Sequence, residues 1–420
     1  MSYQNQIHPA GRFSCDVGTS LLYTVFCILI SAALLFATNP AYAQWPAPTG
    51  NEQVWATNVE ETADGGYVVL GGAANVASGG YTDCWLMKLD SKGNVQWFAT
   101  FGGNTSDIGN SVYQTSDGGY AVAGYQVLEE NHADAWLLKV DANGIVQWQK
   151  SYGGDEGDDF FNSVEQTSDN GYILVGGTWS DNGGDSDGWA LKLNSQGQVE
   201  WEQDFGGDNH DFIYSVEQTK DGGYVAVGKT SSSGAGLTNG WMVRINALGQ
   251  VQWQKTYGGD SYDTINSIIE TDDGGFVVAG SSYSFGTGNE DAWIMKLDST
   301  GATQWQKSYG GQGEDLAFFI EPTKDGGYIA AGRTSSYGTG TMDAWVLKLN
   351  SSGDIQWQKT YGEGNYDLAS TIHQTDDGGY IVSGGTYVIG PNGEDLGKEF
   401  WVAKLDSNGA VEWMRSTWEK

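Results

Sequence analysis

The phrase QTSDGGYAVAG, from Gln114 to Gly124, recurs in close variants along almost the whole chain. The aspartates that open its Asp-Gly-Gly part are spaced by 53 residues once and by 52 residues five times. They are Asp64, Asp117, Asp169, Asp221, Asp273, Asp325 and Asp377. Self-similarity at such a period is typical of repeat architectures. The chain therefore has to fold as seven equivalent units.

Each unit contains four short segments that alternate apolar and polar residues, which is the periodicity of a β-strand. After the repeated phrase come DAWLLKVD (Asp134 to Asp141) and IVQWQKSYGG (Ile145 to Gly154), and NSVEQT (Asn162 to Thr167) opens the next unit. The Asp-Gly-Gly and Asp-x-x-Gly stretches between segments predict tight hairpin turns, because glycine accepts positive φ. A four-stranded meander of about 50 residues is the size of a propeller blade. The sequence predicts an all-β, seven-bladed β-propeller of four-stranded antiparallel blades.

Small and large side chains recur at fixed places in the unit. A glycine such as Gly124 closes the second strand, where we expect neighbouring blades to crowd near the axis. Tryptophans such as Trp136 and Trp148 mark the third and fourth strands, where the gap between blades widens and needs bulk. Cys84 occupies a slot before the third-strand tryptophan that is small in most units, whereas Phe400 breaks this pattern in the last unit.

The N-terminal segment has a different composition from the repeats. Residues 21–37 are apolar and uncharged, and Ala41-Tyr42-Ala43 follows as an A-x-A cleavage site. This pattern predicts a signal peptide over residues 1–43 and a propeller domain over residues 44–420. An uncleaved anchor is the alternative. After cleavage we expect no membrane span, and secretion or retention in the periplasm or at the cell surface.

Net charge and cysteine usage limit the partners. A formal charge of −33 repels phosphate backbones and anionic lipid headgroups, so we expect neither nucleic acid nor membrane-surface binding. Cys15 and Cys27 lie in the predicted leader, and Cys84 alone remains, so the mature chain cannot form an internal disulfide. We expect a monomer without a cofactor, with calcium as an open alternative.

One face of the predicted ring carries the variable parts of the repeat. The loop between the second and third strands and the linker to the next blade share that face, while the uniform hairpin turns lie on the other. Aromatic residues in these loops and linkers are candidate ligand-binding residues, since an aromatic ring can stack on a sugar. They are Trp179, Tyr283, Phe285, Tyr337, Tyr387, Tyr262 and Tyr366. The alternative is that they pack against their own loops.

Acidic residues form a ring ten positions before the Asp-Gly-Gly aspartates, at the predicted mouth of the central channel. Its members are Asp107, Asp159, Asp211, Asp263, Asp315 and Asp367. A cation site is one hypothesis, and hydrogen bonding to glycine-rich backbone is the structural one. The stretch DNGGDSDG supplies a possible calcium site through Asp181, Asp185 and Asp187.

Basic residues also recur, three positions after each third-strand tryptophan. They are Lys88, Lys139, Lys192, Arg244, Lys296, Lys348 and Lys404. In so acidic a chain we expect each to pair with a carboxylate of the neighbouring blade.

The repeat resembles secreted bacterial and archaeal β-propeller proteins with Trp-rich DGGY…DxWxxKxDxxGxxxWxKxYGG units, and it is more weakly similar to kelch and quinoprotein propellers. The resemblance implies an extracellular or periplasmic propeller and carries no activity with it. His132, His210 and His373 share no spacing that would mark a catalytic centre.

Two functional hypotheses follow from the regular blades and the variable face. The first is a secreted, non-enzymatic recognition or scaffold propeller that binds a glycan or a surface protein through the variable-loop face. The alternative is a secreted hydrolase or lyase acting on polysaccharide with channel-mouth acids such as Asp159, Asp211 or Asp263. A structural envelope component is a third possibility.

Overall fold

The computed structural model describes residues 52–75, 81–128, 132–154, 157–179, 185–362, 366–389 and 395–416. Within these ranges the chain forms seven separate four-stranded antiparallel sheets and no helix. Each sheet pairs its strands in chain order, as a meander does. The prediction of a seven-bladed propeller is confirmed. The predicted leader lies outside the described residues.

The first and second strands of the blades lie nearest the central channel. The first strands are β1 (Glu52–Glu61), β5 (Asp107–Gln114), β9 (Asp159–Gln166), β13 (Asp211–Gln218), β17 (Asp263–Glu270), β21 (Asp315–Pro322) and β25 (Tyr366–Gln374). The second strands are β2 (Tyr67–Asn75), β6 (Tyr120–Val127), β10 (Tyr172–Thr178), β14 (Tyr224–Thr230), β18 (Phe276–Ser282), β22 (Tyr328–Thr334) and β26 (Tyr380–Ile389).

The third and fourth strands lie progressively further from the channel. The third strands are β3 (Thr82–Leu89), β7 (Ala133–Val140), β11 (Asp187–Leu193), β15 (Asn239–Ile245), β19 (Asp291–Leu297), β23 (Asp343–Leu349) and β27 (Asp395–Leu405). The fourth strands are β4 (Val95–Phe101), β8 (Val146–Tyr152), β12 (Val199–Phe205), β16 (Val251–Tyr257), β20 (Thr303–Tyr309), β24 (Ile355–Tyr361) and β28 (Val411–Ser416). Blade 1 comprises β1–β4, and the others follow in the same way to blade 7.

The Asp-Gly-Gly turns close each first hairpin with the backbone geometry that the sequence predicts. In blade 1 the Thr62 amide donates to the Gly66 carbonyl at 2.9 Å, and the Gly65 amide donates to the Thr62 carbonyl at 2.8 Å. Gly65 has a φ of 74°. In blade 3 Asn170 takes the same place with a φ of 64°, which asparagine tolerates better than most residues.

The repeated glycine of the second strand is required by a bulge inside each blade. The pairing of β9 with β10 shifts register between Val175 and Gly176. A Cβ added to Gly176 would overlap the carbonyl oxygen of Phe160, which belongs to the first strand of the same blade. Crowding between blades, which the sequence pattern indicated as the reason for this glycine, is wrong. The close approach is that of the bulged neighbouring strand.

The hydrophobic core consists of seven clusters, each shared by two adjacent blades. Between blades 1 and 2, for example, Leu70 and the buried Cys84 thiol lie in one cluster with Val122 and Trp136. Because each cluster needs both neighbours, no blade completes its core alone. The ring must therefore close for the first and last blades to be stable.

Phe400 is part of that closure. Its ring lies 4.8 Å from the ring of Trp85 in blade 1, and both belong to the cluster between blades 7 and 1, together with Ala56. The Val59 amide also donates to the Thr371 hydroxyl at 3.0 Å across this seam. The large side chain before Trp401 therefore fills the last interface beside a small residue of blade 1.

Candidate functional site

On the variable-loop face, the described loops of blades 3 to 6 are each bonded through their backbone to the linker that follows. Thr238, at the end of the blade 4 loop, pairs with Tyr262 in the linker that follows. The Tyr283 amide of the blade 5 loop then donates to the Tyr262 carbonyl at 2.9 Å. Met342 and Tyr366 repeat the first of these pairings between blades 6 and 7. Backbone hydrogen bonds thus hold these described loops to their neighbouring linkers.

The ring of six acids fixes these loops and linkers. In blade 5 the Asp263 carboxylate accepts from the Gly259 amide at 2.8 Å and from the Ser284 hydroxyl at 2.7 Å. In blade 6 Asp315 accepts from the Gly311 amide at 2.9 Å in the same way. All six carboxylates are buried. Each buried oxygen is therefore surrounded by the linker and loop of its own blade, and not by open channel.

Three of the candidate aromatic residues make ring contacts within the fold, and one of them, Tyr337, is still 38% exposed. Trp179 lies 5.6 Å from the ring of Phe160 and 5.6 Å from that of Phe212. Phe285 lies 5.5 Å from Trp293. The Tyr337 hydroxyl donates to the Gly310 carbonyl at 2.7 Å, while its ring lies against Trp345. These rings stabilise their own loops.

The other four candidates are exposed tyrosines that form two pairs. Tyr262 and Tyr283 are 52% and 45% exposed, and their ring centroids are 6.3 Å apart in an edge-to-face arrangement. Tyr366 and Tyr387 are 45% and 37% exposed and face each other across β25 and β26. Directly opposed residues point to the same side of a sheet. The structure thus brings together the sequence candidates of blades 4 and 5, and those of blade 7.

A cavity of about 250 Å³ lies between blades 7 and 1 on this face. Trp55 and Tyr387 contribute its aromatic wall, and Lys398 places its ammonium 5.3 Å and 4.9 Å from the centroids of these two rings. Thr57 and Ser370 line both this cavity and the central channel. Of these three residues, the sequence pattern indicated Tyr387 but not Trp55 or Lys398. Lys398 could have been found from the sequence, because it is a basic residue in the longest variable loop of an acidic chain.

The central channel encloses about 350 Å³ and carries a set of acids that sequence analysis also missed. Burial raises the pKa of Glu60 to about 7, that of Glu165 to about 8 and that of Glu217 to about 7. Each accepts a backbone amide of the next blade, as Glu165 does from Gln218 at 2.7 Å. Glu321 lies 3.0 Å from Nδ1 of His373. These side chains bond adjacent blades to each other around the axis.

Two of the three proposed calcium ligands, Asp185 and Asp187, lie within the described residues. Asp181 lies outside the described residues, and the Asp185 carboxylate lies 3.5 Å from Nε2 of His210. Among the described residues no three His, Cys, Asp or Glu side chains come together in a metal-binding group.

Asp185, Ser186 and His210 have the composition of a nucleophilic triad, which sequence spacing did not indicate. The Ser186 hydroxyl lies 3.0 Å from Nδ1 of His210, and the Ser186 amide donates to the same nitrogen at 3.2 Å. A triad serine must reach a substrate, but Ser186 is fully buried. The Asp211 amide also donates to the Ser186 carbonyl at 2.8 Å. The arrangement therefore attaches the linker to the blade 3 loop.

The opposite face, which holds the Asp-Gly-Gly turns and is called the turn face below, carries the basic ring. Lys139 bonds both carboxylate oxygens of Asp117 at 3.1 Å and the Val140 carbonyl at 2.9 Å. The expectation of a partner in the neighbouring blade was wrong, since each basic residue pairs with the turn aspartate of its own blade. The third strand ends beside that turn, which places the two charges together.

Fold and sites together define a seven-bladed β-propeller with one uniform face and one variable face. No protein-family model matches the chain. It is similar to the regulatory protein FlaEY of Caulobacter vibrioides, with 24% identity over 376 residues that cover 71% of this chain and 38% of FlaEY. The chain thus spans well under two thirds of that relative's length.

Solved structures with a similar fold include a puromycin hydrolase variant in complex with PGG. It has a TM-score of 0.56 and 13% identity, over 87% of this chain and 54% of the hydrolase. A Mycobacterium tuberculosis puromycin-hydrolysing peptidase has a TM-score of 0.53 and 12% identity, over 90% of this chain and 56% of the peptidase. At these identities the similarity shows the fold alone. Within the described ranges there is no helix with the length and apolar character needed to cross a membrane.

Proposed function

We propose that this protein is a secreted, non-enzymatic recognition propeller that binds a glycan through its variable-loop face. The observation that carries the proposal is the pairing of exposed tyrosines on that face, Tyr262 with Tyr283 and Tyr366 with Tyr387. Exposed aromatic residues held by backbone hydrogen bonds on a rigid scaffold are already ordered before a ligand arrives. Binding then orders few side chains, which favours affinity.

The chemistry near the first tyrosine pair suits a sugar. A tyrosine ring offers an apolar surface to the C–H face of a pyranose, and its hydroxyl group remains able to hydrogen bond. Glu290 and Glu314 lie close enough to Tyr283 to raise the pKa of its phenol, after the larger effect of burial. Carboxylates beside an aromatic ring can accept hydrogen bonds from sugar hydroxyls.

The enzyme hypothesis receives less support from the position of its candidate acids. Asp159, Asp211 and Asp263 are buried, and Asp211 and Asp263 accept linker amides at 3.0 and 2.8 Å. Glycoside hydrolysis needs two carboxyl groups that flank the scissile bond. Acids that are enclosed by their own linkers cannot reach a polymer without rearrangement of the backbone.

Secretion is supported by the leader-like pattern of residues 1–43. A leader of this kind delivers a protein to the place where extracellular glycans occur. An extracellular protein partner is the competing outcome of the test below.

The test is a glycan array with the purified protein, in calcium and again with a chelator. We expect binding to defined glycans, and the bound glycan should stay chemically unchanged over time. Tyr283→Ala and Tyr262→Ala should each weaken this binding. Leu248→Ala is the matched control, because Leu248 is 75% exposed in a hairpin turn on the turn face. Blank arrays in both conditions would refute the proposal and leave a protein partner. Chain cleavage of the glycan would support the enzyme alternative instead.

A further inference from the structure

We infer that the cavity between blades 7 and 1 is a subsite for a carboxylated sugar residue, a uronate, whose carboxylate pairs with Lys398. The inference rests on the proposed function and names the ligand class within it. Three observations support it: the contacts of Lys398, the walls of the cavity and the charge of the whole chain.

Lys398 differs from the ion-paired lysines of the chain in what it contacts. The seven basic residues of the turn face each form an ion pair, and Lys220, Lys307 and Lys324 also pair with aspartates. Within the described ranges Lys398 has no such carboxylate at salt-bridge distance, and its ammonium lies instead over the rings of Trp55 and Tyr387. An ammonium on aromatic faces is held in place without being neutralised. Its charge therefore stays available to an anionic ligand.

The rest of the cavity suits a sugar ring. Trp55 and Tyr387 offer apolar surface, and Thr57 and Ser370 offer hydroxyl groups. The hydrogen bonds of Thr57 to the carbonyls of Leu70 and Gly109 are long, at 3.4 and 3.3 Å, and that of Ser370 to Ala56 measures 3.5 Å. Both hydroxyl oxygens can still accept hydrogen bonds from a ligand. A volume of about 250 Å³ is below the usual range of drug-sized pockets, roughly 300–1,000 Å³, and fits one small ring.

The net charge of the protein limits how much negative charge a ligand can carry. A formal charge of −33 repels heavily charged polymers, and Glu399 adds a carboxylate to the cavity lining. A singly charged group on an otherwise neutral ring meets one ammonium with little added repulsion. A phosphate monoester carries close to two negative charges at neutral pH for the same single partner. The observations therefore favour a singly charged group, and we assign a carboxylate.

The experiment measures binding by tryptophan fluorescence or calorimetry with two probes of equal length, a neutral oligosaccharide that carries one uronate residue and the same oligosaccharide with that carboxylate methyl-esterified. The full-length protein should bind the charged oligomer roughly tenfold or more tightly, as expected for a charge-assisted hydrogen bond. Lys398→Met keeps the apolar stem and should abolish this preference. Lys398→Arg should keep it. Lys229→Met is the matched control, since Lys229 also lies over an aromatic ring, 5.1 Å from the centroid of Phe212.

The outcomes separate this inference from the proposed function. Equal binding of both oligomers, or a preference that survives Lys398→Met, overturns the uronate subsite and leaves glycan recognition intact. Tighter binding of a sulfated oligomer of the same length also overturns it. If neither oligomer binds and the glycan array is also blank, the proposed function itself is refuted. A melting temperature like that of the unaltered protein in both Lys398 variants shows that any loss of preference is a loss of contact.

Discussion

The turn face and the variable-loop face come from the same repeat, but they use their polar side chains differently. On the turn face each buried Lys or Arg meets the aspartate of its own turn, so the charges are satisfied within every blade. On the variable-loop face, side chains at equivalent places differ from blade to blade, and some remain available, as Lys398 and the exposed tyrosines do. Exact repetition therefore marks what the ring needs for folding, and departures from it mark what could bind a ligand.

The largest difference in stability should come from comparing two glycines, one in the scaffold and one on the variable-loop face. Gly176→Ala forces a Cβ against the Phe160 carbonyl, whereas a Cβ on Gly103 in a linker meets nothing within 4 Å. We expect a loss of about 3 kcal/mol in the free energy of unfolding for Gly176→Ala and almost none for Gly103→Ala. Denaturant unfolding of both variants measures this difference. Equal losses would mean that the bulge does not require a glycine.

The next comparison concerns buried and exposed ion pairs. Lys139 is 3% exposed and bonds Asp117 and a carbonyl, while Lys307 bonds Asp354 at 2.6 Å on the surface. Lys139→Met leaves the Val140 carbonyl without its ammonium partner and should cost about 1–3 kcal/mol. Lys307→Met should cost less than about 1 kcal/mol, because exposed pairs contribute little. If the two losses are alike, burial does not determine the value of these pairs.

The dependence of stability on pH should separate the channel carboxyls from the turn aspartates. Burial raises the folded-state pKa of Glu165 to about 8, so the folded state binds its proton before the unfolded state does, and stability rises as pH falls from about 8 towards 4.5. Hydrogen bonds from Arg244 and Thr219 lower the pKa of Asp221 to about 2. Its contribution is present above pH 4 and is lost as pH falls through 2.

Chemical unfolding across pH 2–9 checks both arms of this profile. We expect maximum stability between about pH 4.5 and 6. Glu165→Gln, which cannot ionise, should reduce the slope on the alkaline side and leave the acid side unchanged. A stability that keeps rising above pH 8 would contradict the assignment of raised pKa values to the channel.

The fold was predictable because its determinants are local and repeated seven times. Asp-Gly-Gly turns, alternating strands and two tryptophans per unit recur at a fixed period, so number, type and order of the strands followed from the sequence. The reason for Gly176 did not follow, since a bulge in the partner strand leaves no mark of its own on the sequence. The partner of Lys139 was missed for a similar reason, because spacing along the chain does not say which turn lies beside the end of a third strand.

The candidate site was predictable only in part. The sequence indicated a candidate face and its aromatic residues, but it could not separate exposed Tyr283 from packed Trp179, because both occur in variable polar loops. Trp55 and Lys398 are more than 300 residues apart in the chain and meet only because the ring closes. The channel glutamates were missed because each one looks like an ordinary polar residue of an alternating strand.

The smallest effect should distinguish the two kinds of aromatic residue on the variable-loop face. Trp179→Ala removes the contacts of its ring with Phe160 and Phe212 and should cost about 1–2 kcal/mol in the free energy of unfolding. Tyr283→Ala should change stability by no more than about 0.5 kcal/mol, because its side chain is already exposed. Glycan binding should show the reverse order, with the larger loss for Tyr283→Ala. If one variant loses both stability and glycan binding, then scaffold contacts and ligand contacts are not separable on this face. The distinction from the turn face would then rest on the ion pairs alone.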